Sequence, residues 1–163
     1  MTEPADLILH LGTSAATDAL AERIAASLCA GDTILLSGGI GAGKTHLARA
    51  VIRALQRRAG EPPEDIPSPT FTLVQTYAAG PLEIWHADLY RLHDPQEIEE
   101  LGLVAAFDTA LCLVEWPDRL GPLEPGAAAL HLHLALCPES PEARRLIARG
   151  PARLVTALSP PAA

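Results

Sequence analysis

The sequence holds no asparagine, one lysine and one methionine, and only 4% of its 163 residues are aromatic. With so few rings, a core has to come from Leu, Ala, Val and Ile, which dominate a chain that is 48% hydrophobic and suit a parallel sheet flanked by helices. Three cysteines, Cys29, Cys112 and Cys137, stand in apolar surroundings without metal-ligand spacing, and their odd number argues against a disulfide framework. They read as buried thiols of a reducing compartment. The 12 basic residues are outnumbered by 20 acidic ones, for a formal charge of -8. Phosphate backbones repel such a chain, so any nucleic acid in its biology is expected to be held by a partner. No apolar run approaches the ~20 residues that cross a bilayer. The start, Met1-Thr2-Glu3-Pro4-Ala5-Asp6, is acidic where a secretory leader is basic. These absences predict a cytoplasmic protein with one domain over residues 1–158 and a frayed tail at 159–163.

The lone lysine is the first residue to explain, because every other basic residue is arginine. An ammonium is a compact charge that fits between two phosphates, whereas guanidinium is a wide planar fork. Lys44 ends the run Gly38-Gly39-Ile40-Gly41-Ala42-Gly43-Lys44-Thr45, which fits the phosphate-loop pattern GxxxxGK[ST]. An apolar strand-like run, Thr33 to Ser37, precedes it and a helical pattern follows, the context the pattern requires; the alternative, a glycine-rich strand-to-helix turn that binds nothing, is disfavoured by the full pattern between both flanks. The glycines let backbone N–H groups turn inward around a β-phosphate, and the N-terminus of the following helix adds a favourable field. Lys44 then reaches the β- and γ-phosphates, and the Thr45 hydroxyl is placed to ligate Mg2+. The missing asparagine removes the Asn-Lys-x-Asp motif that reads guanine, so ATP is the default nucleotide.

The remaining pattern predicts an α/β, P-loop NTPase-like three-layer fold with a mixed, mainly parallel sheet and an inserted antiparallel segment. A strand over Leu7 to Leu11 leads to a helix capped by Thr13 or Ser14, with Ala16, Leu20, Ile24 and Leu28 on its apolar face. The helix after the phosphate loop runs from Lys44 to Ala59 and stops at Gly60 and Pro62-Pro63. Strands over Thr72 to Tyr77 and Leu82 to Ala87, joined at Ala79-Gly80-Pro81, form a hairpin. Asp94 caps a helix over Pro95 to Leu101, and Leu103 to Phe107 reads as a short turn. Ala110 to Val114 is a buried strand delivering Glu115 at its end, and Ala128 to Leu136 is another strand. Ser140 to Leu158 is open between helix and strand.

Two acids can complete a nucleotide site. Glu115, after four apolar residues, occupies the Walker-B position. In Trp85-His86-Ala87-Asp88-Leu89-Tyr90-Arg91, alternation puts His86, Asp88 and Tyr90 on one face, so Asp88 can orient an attacking water; apart from the phosphate loop the same cluster would read as a hydrogen-bonded edge. Thr70, stiffened by Pro69, is either a γ-phosphate sensor or a plain loop-to-strand residue. Arg49, Arg53 and Arg57 share one helix face, a solvated surface first and a partner or RNA patch second.

The phosphate loop, Ser68-Pro69-Thr70-Phe71-Thr72-Leu73-Val74, His86-Ala87-Asp88-Leu89-Tyr90-Arg91-Leu92, Asp94-Pro95-x-Glu97, Glu100-Leu101-Gly102 and Leu113-Val114-Glu115-Trp116-Pro117 occur in this order. Together they closely resemble the TsaE (YjeE) family, over about Leu11 to Arg119. The resemblance implies a bacterial ATPase that works with TsaD and TsaB in threonylcarbamoyladenosine formation at position 37 of ANN-decoding tRNAs, without itself transferring the threonylcarbamoyl group and with tRNA met only through the complex. It also implies that Thr45 and Glu115 take Mg2+ and that Gly41 to His46 hold the phosphates. Asp88 serves hydrolysis, while Ser14 and a C-terminal arginine, here Arg144, touch the nucleotide. Trp116 and Tyr90 match aromatic positions near the site. Four positions depart from the family pattern: Gly39-Ile40 replaces an acidic-Leu pair, His46 replaces threonine or serine, and Ala87 replaces an aromatic.

Catalytic roles therefore fall on Lys44, Asp88 and Glu115, and nucleotide contacts on Ser14, Gly38 to His46, Thr70 and Arg144. A small-molecule kinase on the same loop is the enzyme-class alternative, disfavoured by the acidic segment Asp94 to Glu100 where an arginine-rich lid is needed. A module that binds ATP without hydrolysis is the third reading, and the presence of both Asp88 and Glu115 speaks against it.

Overall fold

The computed structural model describes residues 5–62 and 64–160. Residues 161–163 of the expected tail lie outside them. Among the described residues seven strands form one sheet in the order β1-β7-β6-β2-β5-β4-β3. They are β1 (Ala5–Leu11), β2 (Thr33–Gly38), β3 (Val74–Ala79), β4 (Leu82–Asp88), β5 (Leu111–Glu115), β6 (Leu130–Cys137) and β7 (Ser140–Gly150). The four central strands, β6, β2, β5 and β4, run parallel, while β3 and the β7–β1 pair add antiparallel edges. The β3–β4 hairpin is the expected antiparallel insertion. The second antiparallel edge is a finding of the structure.

The central strands read as continuous apolar runs because both faces are covered. Ile34 and Leu36 of β2 and Leu111 and Leu113 of β5 point into one core with α1 (Ser14–Ala25), α2 (Lys44–Arg58) and α5 (Ala152–Leu158). Their neighbours Leu35, Cys112 and Val114 point into the other, beneath α3 (Pro95–Glu100) and α4 (Leu103–Thr109). Fully buried side chains such as Leu20, Ile52 and Ile84 contribute roughly 1.5–3 kcal/mol each before entropy is charged against them.

Capping residues end the helices as their chemistry requires. Thr13 Oγ1 accepts from the Ala16 N–H at 3.1 Å at the start of α1, and Asp94 Oδ1 accepts from the Gln96 N–H at 2.9 Å at the start of α3. Leu103 to Phe107, expected as a turn, is helix α4: Gly102 in the left-handed region (φ 82°) starts it, and Leu103, Ala106 and Phe107 bury one stripe. The strand expected from Thr72 begins at Val74, because Leu73 is itself left-handed (φ 69°) and bends the chain. Ala128 is part of a short 3-10 turn, so β6 starts at Leu130. Ser140 to Leu158 divides into strand β7 and helix α5, separated by Pro151.

Candidate functional site

The parallel register gathers the site. Leu36 pairs with Glu115 across β2 and β5, and Asp88 pairs with Glu115 across β4 and β5, so three strands end on the same edge of the sheet. Crevices outside the carboxyl ends of parallel strands are where such sheets bind ligands. A cavity of about 410 Å³ opens there, lined by Ile40, Gly41, Gly43, Lys44, Thr45, His46, Thr70, Asp88, Tyr90, Glu115 and Trp116.

The loop's glycines are there for backbone reasons. Gly38 (φ 138°) lies so close to β6 that an added Cβ would sit 2.4 Å from the Leu134 carbonyl oxygen. Gly41 (φ 80°) and Gly43 (φ 102°) take left-handed conformations, and Gly43 turns directly into α2. Gly39 has neither constraint, and an added Cβ meets nothing within 4 Å. The acidic residue of the family pattern would therefore fit at that position.

Lys44 is buried and folded back on the loop. Its Nζ donates to the carbonyls of Gly38 at 2.7 Å and Gly39 at 2.8 Å and lies 4.3 Å from the centre of the Trp116 ring. Burial pushes the ammonium below the usual lysine range, while the charges of Glu115 and Asp88 pull it back up. Gly38 and Gly39 thus meet the lysine through their carbonyls and do not line the cavity.

The opposite wall is a chain of hydrogen bonds. Thr45 Oγ1 donates to Glu115 Oε1 at 2.6 Å, and Glu115 Oε2 meets His86 Nε2 at 2.7 Å, with His86 fully buried. Thr70 Oγ1 donates to Asp88 Oδ2 at 3.2 Å and shares a 2.8 Å hydrogen bond with Ser68 Oγ. Asp88 Oδ1 accepts from the Tyr90 N–H at 3.0 Å. β4 ends at Asp88, so Tyr90 does not continue its face as alternation predicts; its ring lies 4.8 Å from that of Trp116.

Ser14 and Arg144 lie beside the loop in a second cavity of about 320 Å³, which shares Gly43 and His46 with the first. Arg144 Nε donates to the Ala42 carbonyl at 2.9 Å. His46 meets Asp18 of α1 at 3.0 Å. Arg91 points away from the acids, its guanidinium 4.4 Å above the centre of the Phe71 ring. The three α2 arginines do not act as one patch: Arg49 donates to the Ile66 carbonyl at 2.6 Å, Arg57 pairs with Glu22, and Arg53 is exposed.

Two participants carry no role in the sequence pattern. Alternation places His86 on the face of Asp88 and not beside Glu115, and Ser68 belongs to a motif without a role of its own. A signal for His86 existed in its spacing of two from Asp88, but only the β4–β5 register turns that spacing into contact with Glu115. For a divalent ion the cavity presents two hard oxygens in contact, Thr45 Oγ1 and Glu115 Oε1. Among the described residues no three His, Cys, Asp or Glu side chains cluster as a metal cage. That sparse oxygen set fits Mg2+, which keeps waters and phosphate oxygens as its other ligands.

The fold is similar to that of YdiB from Bacillus subtilis, with a TM-score of 0.73 at 24% identity over 96% of this chain and 94% of that one. A relative from Rickettsia conorii named tRNA threonylcarbamoyladenosine biosynthesis protein TsaE is 44% identical over 108 residues, 66% of this chain and 59% of its own length. One of the same name from Rickettsia felis is 43% identical over 111 residues, 68% of this chain and 63% of its own. The chain thus aligns with less than two thirds of either relative. The family model for threonylcarbamoyl adenosine biosynthesis protein TsaE matches residues 11–146, spanning the phosphate loop, both acids and Arg144: this chain belongs to the TsaE family.

Proposed function

We propose that this protein is a Mg2+-dependent ATPase of tRNA threonylcarbamoyladenosine biosynthesis. It acts in the cytoplasm with TsaD and TsaB and leaves the transfer of the threonylcarbamoyl group to them. The observation that carries the reading is the convergence of Lys44, Thr45, Asp88 and Glu115 on one cavity at the carboxyl ends of three parallel strands. Family membership supports the pathway.

The residues divide the work. Backbone N–H groups of the loop and the N-terminus of α2 bind the β-phosphate. Lys44 exchanges the Gly38 and Gly39 carbonyls and the Trp116 ring for phosphate oxygens. Thr45 and Glu115 would hold Mg2+, which supplies neutralisation of the triphosphate charge when bound. Asp88, fixed by Thr70 and the Tyr90 N–H, orients a water. The water oxygen bonds to the γ-phosphorus as the bond to the β–γ bridging oxygen breaks, giving ADP and inorganic phosphate, and the released proton passes through Asp88 to solvent. Ser14 and Arg144 border the second cavity, which has room for the adenosine end.

Among the described residues no arginine lines the catalytic cavity, and Arg91 stacks on Phe71. An added cation is worth on the order of a thousandfold or more in phosphoryl transfer, so turnover alone should be slow and partners should raise it. The test measures ATP turnover of the chain alone and with TsaD and TsaB, with Glu115→Ala as control. Slow turnover that rises with the partners and vanishes in the variant supports the reading. ATP binding with unchanged turnover at saturating partners would overturn it in favour of a P-loop kinase or a non-hydrolysing module.

A further inference from the structure

His86 has no place in the division of work above, yet it is fully buried and its one hydrogen-bonding contact among the described residues is Glu115 Oε2, at 2.7 Å. Its other ring nitrogen, Nδ1, is buried with no partner among the described residues. That combination is costly for a residue kept only for packing. A leucine of similar size would fill the space without stranding a polar atom, since an unpaired buried nitrogen forfeits its hydration. The bond to Glu115 is therefore what the ring contributes.

The placement of that bond indicates its purpose. Glu115 has two carboxylate oxygens, and Oε1 is turned to the Thr45 hydroxyl at 2.6 Å while Oε2 is turned to His86. His86 pairs with Leu113 in the parallel register, two positions before Glu115, and it meets the carboxylate from the buried sheet without lining the cavity. A carboxylate at a strand end can rotate about its terminal torsion. With Oε2 held, Oε1 stays beside Thr45 whether or not a ligand is present.

We propose that His86 is a positioning residue for the Mg2+ site: it clamps Glu115 through Oε2 so that Oε1 and Thr45 Oγ1 remain a preformed pair of oxygen donors. The inference rests on the nucleotide-site reading above. Partners that orient a ligating side chain typically change metal affinity ten- to a hundredfold when removed. Binding of the free nucleotide, held by the loop and Lys44, does not pass through this clamp.

The experiment titrates Mg2+ against binding of a fluorescent ATP analogue, without reading turnover, in the wild type and in His86→Leu, His86→Gln and Glu115→Gln. Thermal unfolding in Mg2+-free buffer runs in parallel. His86→Asn, whose amide stops short of Glu115, replaces the leucine variant if that one does not fold. The expected result is Mg2+-free binding within about twofold of wild type, a Mg2+ half-saturation point raised about tenfold or more in the leucine or asparagine variant, and recovery in the glutamine variant, whose amide can reach Oε2. An unchanged Mg2+ requirement in the leucine or asparagine variant, where Glu115→Gln loses it, would overturn the clamp and leave the nucleotide site standing. A glutamine variant as deficient as leucine, with the same fall in melting temperature, would reduce His86 to a structural residue. A wild type whose nucleotide binding ignores Mg2+ would overturn both readings.

Discussion

Thr45 Oγ1 and Glu115 Oε1 stand 2.6 Å apart although 70 residues separate them in the chain. One is the first hydroxyl of helix α2 and the other the last residue of strand β5, brought together because β2 and β5 run parallel and end at the same edge. The hydroxyl spends its proton on the carboxylate, which leaves its lone pairs free for a ligand.

From that pair follows the expected behaviour of Glu115→Gln. The amide keeps the size of the carboxylate and removes its charge, so turnover should fall about a hundredfold or more while nucleotide still binds. Single-turnover hydrolysis measured beside analogue binding separates the two effects. An equal loss of both would mean that Glu115 supports the loop and not the reaction.

Lys44→Arg is not a conservative change here. The ammonium fits between two carbonyls and against the Trp116 ring, a space that a planar fork cannot occupy in the same way. Nucleotide affinity should drop at least about tenfold, read by calorimetric titration with ATP, and the melting temperature should change little.

Glycines 38 and 39 should respond oppositely to alanine. At Gly38 the added Cβ would meet the Leu134 carbonyl oxygen at 2.4 Å with φ at 138°, whereas at Gly39 nothing lies within 4 Å. A strained position costs roughly 1–3 kcal/mol, and for a domain of this size each kcal/mol lowers the melting temperature by about 2–4 °C. Calorimetric melting curves should show Gly38→Ala well below the wild type and Gly39→Ala level with it.

The cysteines should differ in reactivity. Burial pushes the Cys112 thiol up to about 12 from an ordinary 9.0, and the residue is fully buried; burial and the Asp32 carboxylate raise the Cys29 thiol as well, but that residue is exposed to reagent. At pH 8 a thiol reagent should label Cys29 in the native protein and Cys112 only after unfolding. Between pH 9 and 12 the unfolded chain sheds the Cys112 proton that the folded chain keeps, so the folded state binds more protons and this group's contribution to stability falls as pH rises. Denaturant midpoints across that range check the sign.

Much of the site was legible in the sequence because its signals are local. The phosphate loop needs left-handed glycines at fixed spacing, helix α3 announces itself through Asp94 and Pro95, and β5 through four apolar residues before an acid. Each depends on neighbours a few residues away, where backbone sterics and capping dominate.

Tertiary structure decided what depends on partners distant in the chain. Ser140 to Leu158 became a strand and a helix only once β7 found β1 and β6 on its two sides, pairings whose register no local pattern contains. Helix α4, expected as a turn, followed from burial of one stripe against the sheet. His86 went to Glu115 because parallel pairing sets which side chains lie side by side, and Arg91, in the turn that follows β4, went to Phe71, while composition only sets which residues are present. The kinds of groups in the site were written in local sequence; which of them touch was a consequence of sheet register, since a shift of one residue turns every side chain to the opposite face.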